Sequence, residues 1–429
     1  MKSVSITPSK LSGGVVIPPS KSISHRAVIC ASLAKGVSEL YNVGKSEDID
    51  ATISAMRAMG AKITVQGDKL VIDGSNTLNI GVPVRLDCRE SGSTLRFLVP
   101  LALHCDADVT FTGTGRLPER PMNTILNVFD EFGISYKAGK EKTLPLTIKA
   151  GHLNGIIEME GNVSSQFISG LLFALPLYPY DSEIIITTPF ESKGYIDMTI
   201  DVLESFGIEI YNSGYKRFKI KGGQSYKPVN YAVEADYSQA AFFLAAGALG
   251  SFVVCKGLSL DTKQGDQKII DVIEKMGGTV VKDEKEGIAA LPSRLHGCTI
   301  DVSQIPDLVP AITVLAACAS GETVIKGAAR LRHKESDRLS AIAQQINSIG
   351  GTVIEKGDTH IIEGADTLSG GAANGCNDHR IAMAVAVAST MCDEIVTIDG
   401  SDCVKKSYPH FWQDFASLGG IVDEWDSEQ

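Results

Sequence analysis

Basic side chains occur in this chain where helices are predicted to begin, a place that ordinarily favours acidic residues. A helix macrodipole disfavours a cation in its first turn by about 0.3–1 kcal/mol. Because the placement recurs, we predict that these segments bind anions, held jointly by backbone N–H groups and by the cations. The eight basic residues concerned are Lys21, Arg26, Arg96, Arg120, Lys334, Arg338, Arg380 and Lys406.

Two acidic residues, Asp307 and Glu335, accompany these cations and are candidates for proton transfer. Two like charges roughly 4 Å apart repel by about 4 kcal/mol at an effective dielectric near 20. Two multiply anionic small molecules can therefore meet only in a pocket with a large cationic lining. We predict that the eight basic side chains converge on such a pocket, which accepts compounds with several phosphate or carboxylate charges.

Each motif also has an ordinary structural interpretation when it is taken alone. Lys21-Ser22 can begin a serine-capped helix, and Gly92-Ser93 can be a tight turn instead of a backbone that approaches a phosphate. In the same way, Arg120-Pro121 can be a proline at the first helical position, Ser164-Ser165-Gln166 and Asp307 can be caps, His379-Arg380 can be a surface pair, and Lys334-Glu335 with Asp337-Arg338 can be solvated ion pairs. Their joint occurrence at corresponding positions of a repeat favours anion binding.

The repeat is marked by glycines about 70 residues apart, each closing a helical segment that runs directly into a strand. A glycine suits the left-handed residue just past a helix end. Six of them at similar spacing predict one supersecondary unit used six times. They are Gly60, Gly133, Gly207, Gly277, Gly350 and Gly419.

Each repeat is predicted to hold two helices among strands. The first helix is apolar on most sides, as in 381–388, and should be buried; the second is amphipathic, as in 122–132. The second helices are predicted to begin at Arg120, Ser192, Lys334 and Lys406. Alternating strands and helices predict an α/β protein whose buried helices are enclosed by sheets and outer helices.

Length and composition exclude several classes of protein. At 429 residues the chain is expected to form two domains. A net charge of −11 gives no support to nucleic-acid binding, and the longest apolar run, 240–255, is broken by glycines and predicts no membrane span. Nine scattered cysteines without a predicted signal peptide fit free thiols in the cytosol. Neither metal-ligand spacing nor a nucleotide-binding glycine motif is present, so no cofactor is expected.

The motifs together resemble those of the 5-enolpyruvylshikimate-3-phosphate (EPSP) synthase family, from end to end. The matching segments are 19–26, 91–96, 116–122, 164–166, 305–307, 334–338 and 377–380. The resemblance implies an inside-out α/β barrel architecture in two domains, each with three βαβαββ repeats, and an active site in the cleft between them. It places residues 19–236 in the N-terminal domain and residues 1–18 with 237–429 in the C-terminal domain.

The resemblance also implies a reaction. The enolpyruvyl group of phosphoenolpyruvate moves to the 5-hydroxyl of shikimate 3-phosphate, a step of chorismate and aromatic amino acid biosynthesis, and phosphate is released. The implied shikimate 3-phosphate contacts are Lys21, Ser22, Arg26, Ser164, Ser165, Gln166, Ser192, Tyr195, Asp307 and Lys334. The implied phosphoenolpyruvate contacts are Lys21, Gly92, Arg120, Gln166, Arg338, Arg380 and Lys406.

The implied chemistry is addition followed by elimination, without a metal or cofactor. Asp307 would accept the proton of the attacking hydroxyl, and Glu335 with Lys21 would handle the methyl proton of the intermediate. Arg96 would support the loop of its segment. Domain closure would exclude water.

Four positions depart from patterns common in the family: Glu90, Ser93, Phe97 and Arg330. They leave the expected reaction unchanged and bear on the shape of the phosphoenolpyruvate pocket. In the family, the glycine matching Gly92 leaves room for the inhibitor glyphosate, so glyphosate is expected to bind.

Two other functions fit part of this pattern. UDP-N-acetylglucosamine enolpyruvyl transferases share the fold and the donor, but their mobile loop carries a cysteine that segment 112–120 lacks. A non-catalytic binding scaffold with six repeats would not need Asp307 and Glu335 among cations. We therefore expect a cytosolic, monomeric enzyme that acts on small molecules, with neither nucleic acid nor membrane as a partner.

Overall fold

The computed structural model describes residues 2–139, 143–283 and 285–426. Within these residues the α-helices are α1 (Lys21–Leu33), α2 (Glu47–Ala58), α3 (Gly92–Leu101), α4 (Asn123–Glu131), α5 (Ser165–Ala174), α6 (Lys193–Ser205), α7 (Tyr237–Ala248), α8 (Ile269–Lys275), α9 (Val309–Ala317), α10 (Arg338–Ser348), α11 (His379–Ala388) and α12 (Phe411–Ser417).

The strands of the first half of the chain are β1 (Lys2–Thr7), β2 (Ser12–Val16), β3 (Val37–Tyr41), β4 (Lys62–Gln66), β5 (Lys69–Asp73), β6 (Val84–Asp87), β7 (Val109–Thr112), β8 (Tyr136–Lys137), β9 (Leu146–Ile148), β10 (Gly155–Met159), β11 (Ser182–Ile186), β12 (Ile210–Ser213), β13 (Arg217–Ile220) and β14 (Asn230–Ala232). Those of the second half are β15 (Phe252–Lys256), β16 (Thr279–Asp283), β17 (Gly287–Leu291), β18 (Thr299–Asp301), β19 (Glu322–Lys326), β20 (Thr352–Lys356), β21 (Thr359–Glu363), β22 (Gly371–Asn374), β23 (Val396–Asp399) and β24 (Ile421–Asp426).

The chain forms two compact units. One consists of Pro19–Val233, and the other combines Met1–Pro18 with Glu234–Gln429. We call them the central unit and the terminal unit. Each has its own continuous hydrophobic core.

Six four-stranded sheets, three in each unit, share one topology. Their strand orders are β14-β3-β5-β4, β6-β7-β9-β8 and β10-β11-β13-β12 in the central unit, and β2-β15-β17-β16, β18-β19-β21-β20 and β22-β23-β1-β24 in the terminal unit. In every sheet the first two strands are parallel and the remaining pairs are antiparallel. The predicted sixfold repeat is confirmed as a βαβαββ unit.

Three strands complete sheets whose other members are far away in sequence. β14 closes the sheet of β3–β5, although it ends the central unit. β2 pairs with β15, and β1 pairs with both β23 and β24. The N-terminal strands are therefore structural parts of the terminal unit, which explains why its chain is discontinuous.

The six marker glycines follow the second helix of each repeat, as predicted. All have positive φ, between 66° and 105°. In every case the next residue donates its backbone N–H to a carbonyl five positions earlier, over 2.8–3.0 Å, as from Ala61 to Met56 and from Ile134 to Phe129. Glycine satisfies helix-end carbonyls here in a conformation that L side chains rarely adopt.

The first helix of each repeat is buried in its unit's core. Every residue of α7, α9 and α11 is buried, whereas the second helices alternate buried with exposed positions. The alanine- and leucine-rich sequences of the first helices fit this location because apolar side chains on all faces must be enclosed. Among the described residues, no helix is both long and apolar enough to cross a membrane.

Three of the predicted helix starts are wrong. Arg120, Lys334 and Lys406 were expected to begin second helices, but each belongs to or directly follows a short 3-10 helix, and α4, α10 and α12 begin three to five residues later. The local reason is that the 3-10 turn satisfies backbone groups with i→i+3 bonds before the α-helix is established. The helix-dipole argument therefore does not apply to these three cations.

Candidate functional site

The N-termini of the six buried helices carry no acidic residue in their first turn. This holds for α1, α3, α5, α7, α9 and α11. Five of them are capped by side-chain oxygens, those of Ser20, Ser91, Ser164, Asp236 and Asp378. Since acidic first turns are otherwise favourable, their absence leaves the positive ends of these helices available for external anions.

Gly92 lies where three predicted site residues of the central unit meet. A Cβ on Gly92 would lie 2.8 Å from Arg120 Nη1, 3.5 Å from Arg96 Nη1 and 3.7 Å from Gln166 Oε1. Arg96 donates to Gln166 Oε1 over 2.8 Å, and Gln166 Nε2 donates to Ser93 Oγ, also over 2.8 Å. The cluster presents cations and amide groups around a residue with no side chain, so a ligand can approach the backbone closely.

Arg26 is a buried cation that ties together α1 and α6. Its Nε donates to Thr199 Oγ1 over 2.8 Å, while its terminal nitrogens donate to the carbonyls of Ser22 (2.6 Å) and Tyr195 (3.0 Å). Its guanidinium carbon also lies 4.9 Å from the centre of the Phe97 ring. Burial lowers the pKa of Arg26 to about 10, which still leaves it charged at neutral pH.

Lys21, Ser164 and Ser192 lie at or next to the starts of helices. Lys21 Nζ forms an ion pair of 2.8 Å with Asp48 of α2. Ser164 accepts the Gln166 N–H over 3.3 Å, so its capping interpretation holds. Ser192, before α6, adopts a left-handed conformation with φ of 57° and is buried. Such a conformation is costly for a non-glycine residue and often marks a functional position.

In the terminal unit, Asp307 lies among three cations. Its carboxylate is 3.0 Å from Lys334 Nζ, 2.9 Å from Arg338 Nη1 and 3.5 Å from Arg380 Nη2. Arg338 Nη2 also contacts Glu335 Oε2 at 2.5 Å. The two predicted proton-transfer carboxylates thus share one guanidinium.

Arg338 is nearly inaccessible, at 1% exposed, and is held mainly by Asp378. Its Nε and Nη2 donate to the two Asp378 oxygens over 2.9 and 3.1 Å. Burial alone lowers its pKa, but Asp378, Glu335 and Asp307 more than offset this and raise it. Arg338 is therefore a fixed positive charge rather than a solvated surface group.

The remaining cations of this unit are also anchored. Arg380 Nη2 donates to Ser238 Oγ over 2.9 Å, and its Nη1 lies 3.3 Å from the Asp307 carbonyl. Lys406 Nζ donates to the Asn377 carbonyl over 2.7 Å, next to the cap of α11. Lys334 keeps part of its side chain exposed; burial lowers its pKa, and Asp307 counteracts this effect.

Several ordinary interpretations fail for these residues. Asp307 does not cap α9, because its carboxylate binds the cations described above and the first residues of α9 lack a side-chain cap. Pro121 is not the first helical residue, since α4 begins at Asn123. The structure thus brings Gly92, Arg96, Arg120 and Gln166 together in the central unit and Asp307, Lys334, Glu335, Arg338 and Arg380 together in the terminal unit. The convergence of all the predicted residues around shared ligands stays a prediction.

Sequence reasoning assigned no role to four residues that hold predicted site residues in place. Asp48 pairs with Lys21, Thr199 with Arg26, Asp378 with Arg338, and Ser238 with Arg380. Asp378 and Ser238 lie at helix starts that resemble the other segments predicted to bind anions, and this resemblance could have identified both residues. Asp48 and Thr199 gave none, because their partners are 27 and 173 residues away.

In the described part of the chain, no group of three or more His, Cys, Asp or Glu side chains is arranged to hold a metal ion. The two clusters are instead rich in guanidinium and ammonium groups. Such groups bind phosphates and carboxylates directly and stabilise developing negative charge.

Comparison with known proteins identifies the family. A family model described as EPSP synthase (3-phosphoshikimate 1-carboxyvinyltransferase) matches residues 6–415. The chain belongs to the EPSP synthase family. The family segment covers both clusters, so the resemblance seen in the sequence is confirmed.

Relatives extend over the full length. The chain is 52% identical over 424 residues to the 3-phosphoshikimate 1-carboxyvinyltransferase of Clostridium perfringens (strain SM101 / Type A), covering 99% of this chain and 100% of that protein. It is 49% identical over 427 residues to the enzyme of that name from Clostridium acetobutylicum, covering 99% of each.

Solved structures of this family share the fold. An EPSP synthase from Acinetobacter baumannii has a TM-score of 0.82 and 28% sequence identity, covering 99% of this chain and 100% of that one. This likeness confirms the predicted fold class, that of a two-domain enolpyruvyl transferase with three βαβαββ repeats in each domain.

Proposed function

We propose that the chain performs the reaction of its family, the transfer of the enolpyruvyl group of phosphoenolpyruvate to shikimate 3-phosphate, with release of phosphate. The observation that carries this conclusion is the family match over residues 6–415. The products are 5-enolpyruvylshikimate 3-phosphate and inorganic phosphate, and the pathway leads to chorismate and the aromatic amino acids.

The proposed shikimate 3-phosphate contacts come from both units. They are Lys21, Ser22, Arg26, Ser164, Ser165, Gln166, Ser192, Tyr195, Asp307 and Lys334. The buried guanidinium of Arg26 and the serines at the start of α5 support this assignment, because a phosphate and a carboxylate need charge-assisted donors.

The proposed phosphoenolpyruvate contacts are Lys21, Gly92, Arg120, Gln166, Arg338, Arg380 and Lys406. The 2.8 Å approach of a hypothetical Gly92 Cβ to Arg120 Nη1 supports this group, since a side chain at this position would displace that guanidinium. Three of these cations are on or beside helix starts that lack acidic residues, which favours binding of an anion.

We assign proton transfer to Asp307, Glu335 and Lys21. The Asp307 carboxylate lies within 3.5 Å of Lys334, Arg338 and Arg380, and a carboxylate can accept the proton of the 5-hydroxyl. Attack of that oxygen on C2 of phosphoenolpyruvate is accompanied by protonation of C3, for which Glu335 and Lys21 are the proposed groups. Loss of a proton and of phosphate then regenerates the double bond.

The proposed reaction needs neither metal nor cofactor, because protonation of the enol phosphate at C3 makes C2 electrophilic and the cations stabilise the departing phosphate. We further propose that the enzyme acts as a cytosolic monomer on small molecules alone. Glyphosate is proposed to bind in competition with phosphoenolpyruvate near Gly92.

A phosphate-release assay tests the function. Purified protein is incubated with phosphoenolpyruvate and either shikimate 3-phosphate or UDP-N-acetylglucosamine. Steady phosphate release is expected with the first acceptor alone. Release with the second acceptor only, or with neither, would overturn the proposal.

A further inference from the structure

A series of buried hydrogen bonds joins three helices of the central unit. His25 Nδ1 lies 2.7 Å from Thr52 Oγ1, which lies 2.7 Å from Thr94 Oγ1. Thr94 Oγ1 in turn donates to Ser91 Oγ over 2.8 Å. We call these four residues the hydroxyl chain. None is more than 1% exposed, so their polar atoms depend on one another for hydrogen bonds.

Thr94 Oγ1 has one further neighbour outside the hydroxyl chain, the Asp48 carbonyl at 3.5 Å. A threonine hydroxyl has a single proton, so a Thr94 hydroxyl that donates to Ser91 accepts from Thr52. In that arrangement Thr52 accepts from Nδ1–H of His25. Burial, together with the charges of Lys21 and Arg26, lowers the pKa of His25 well below its ordinary value, so its ring is neutral and can donate from Nδ1.

The two ends of the hydroxyl chain lie at both kinds of proposed substrate contact. His25 belongs to α1 and directly precedes Arg26, a proposed shikimate 3-phosphate contact. Ser91 caps α3 and directly precedes Gly92, a proposed phosphoenolpyruvate contact. Thr94 binds this cap twice, since its backbone N–H also donates to Ser91 Oγ over 3.2 Å.

The start of α3 at Gly92 lies close to the side chains of Arg120 and Gln166. Arg120 Nη1 is only 2.8 Å from the position of a Gly92 Cβ, and Gln166 is held by Ser93 on the other side. A displacement of a few tenths of an ångström would therefore change how the backbone N–H groups and Arg120 face a ligand.

We infer that Thr52 and Thr94 are positioning residues, which hold the start of α3 (residues 91–93) at a fixed distance from α1 and so set the affinity for phosphoenolpyruvate. The inference rests on the proposed function. Neither threonine touches a substrate; both act through Ser91. A purely structural role would lower stability and leave the balance between the two substrates unchanged.

The test compares Thr52→Val with Thr52→Ser. Valine keeps the volume but removes the hydroxyl, so Thr94 and His25 lose a partner; serine keeps the hydroxyl. With Thr52→Val we expect KM for phosphoenolpyruvate to rise about tenfold. The free energy that corresponds to this rise is only part of what an unsatisfied buried donor costs. KM for shikimate 3-phosphate should change about twofold or less, and Thr52→Ser should restore nearly normal values for both.

Two further variants complete the design. Thr313→Val is the matched control, because Thr313 is fully buried in α9 and its hydroxyl donates only locally, to the Val309 carbonyl over 2.9 Å. It should leave both KM values unchanged. Thr94→Val interrupts the hydroxyl chain at its next link and serves if Thr52→Val does not fold. The double variant Thr52→Val/Thr94→Val should be little worse than either single variant, because one chain is broken in each.

The outcomes separate the two claims. If the wild type is active and the valine variants keep a normal KM for phosphoenolpyruvate, or raise both KM values equally, the inference is overturned and the function stands. If the wild type releases no phosphate from the two substrates, the proposed function fails and the inference fails with it. A selective rise that serine reverses supports the inference.

Discussion

Asp307 has the environment that a proton acceptor between anionic substrates requires. Its carboxylate contacts Lys334, Arg338 and Arg380, and two of these cations are also held by other residues, Arg338 by Asp378 and Arg380 by Ser238. An amide at this position keeps the shape but loses the negative charge and the basicity. The ion pairs would be lost with it.

We predict that Asp307→Asn lowers kcat by about three orders of magnitude, because general base catalysis typically contributes 10²–10⁴-fold. KM values should change far less, since the cations that bind the substrates remain. Steady-state phosphate release measures both quantities. Asp301→Asn is a control from the same unit, as Asp301 caps a local turn at Ser303 and is not a proposed site residue. A kcat within about threefold of wild type would show that another group accepts the proton.

The second prediction for a single residue concerns Gly92. Gly92→Ala places a methyl group 2.8 Å from Arg120 Nη1, closer than van der Waals contact allows. Arg120 must move, so KM for phosphoenolpyruvate should rise about tenfold while KM for shikimate 3-phosphate is nearly unchanged. Glyphosate inhibition, measured in the same assay, should weaken at least as much. Equal changes in both KM values would indicate a general distortion of α3 instead.

Residue patterns predicted the cations and carboxylates of the site but not their supports. Lys21, Arg338 and Arg380 were recognisable because basic residues are unusual at helix starts. Asp48, the partner of Lys21, and Thr199, the partner of Arg26, were not recognisable, because a single aspartate or threonine on an amphipathic helix is a common residue. Nor does a sequence reveal the left-handed conformation of Ser192, which surrounding structure imposes.

The same junction between a helix and a strand occurs in all six repeats, and its glycines were predictable from their spacing alone. The helix starts were less so. Lys406 precedes α12 because the 3-10 helix Ser401–Lys406 occupies the segment in which an α-helix was expected. Both helix types use similar φ/ψ angles and similar residues, so local sequence distinguishes them poorly.

The junction glycines allow a matched test. Gly133 has φ of 66° and nothing within 4 Å of a hypothetical Cβ, whereas the Cβ of Gly60, at φ of 105°, would lie 2.8 Å from the Asn76 carbonyl oxygen. Gly133→Ala should cost about 1–2 kcal/mol from its backbone conformation. Gly60→Ala should cost roughly 1–3 kcal/mol more because of the clash with backbone.

Thermal unfolding of the two glycine variants, compared with wild type under one condition, measures the difference. Both residues belong to the central unit, and neither is a proposed site residue. The lower midpoint should be that of Gly60→Ala. If Gly133→Ala were the less stable variant, contacts absent from the structure would have to hold the Gly133 turn.

The stability of the entire chain should depend on pH through three histidines, of which His25 and His360 are buried and His104 is partly buried. Burial lowers the pKa of His104 and of His360 to about 4, and lowers that of His25 well below its ordinary value. The folded state therefore favours the neutral rings. This preference contributes fully to the free energy of unfolding when the pH is above the unfolded-state pKa near 6.5. The contribution is lost as pH falls from about 6.5 to 4, and it amounts to about 3 kcal/mol for each of His104 and His360.

Unfolding midpoints measured between pH 4 and 8 test this dependence. The decline below pH 6.5 should be shallower in His360→Leu, because one group that takes up a proton on unfolding is removed. His410→Leu is the control, since His410 is exposed at the start of α12. An unchanged slope in His360→Leu would mean that this histidine is charged in the folded protein.

The six repeats followed from the sequence, because apolar first helices and marker glycines recur throughout, whereas their division into three per unit followed only from the family resemblance. The discontinuous terminal unit, in which β1 and β2 complete distant sheets, followed only from the family resemblance. Pairing between strands so far apart depends on the complete fold, and no local pattern of residues 2–16 specifies their partners.

Isotope labelling tests the central chemical claim, that attack occurs at carbon and the C–O bond of phosphoenolpyruvate breaks. Phosphoenolpyruvate with ¹⁸O in the bridging C–O–P position is incubated with shikimate 3-phosphate and the enzyme, and the released phosphate is analysed by mass spectrometry. Enolpyruvyl transfer predicts that the label leaves with the phosphate. Unlabelled phosphate, with the label retained on the three-carbon fragment, would mean cleavage at phosphorus and would contradict the account.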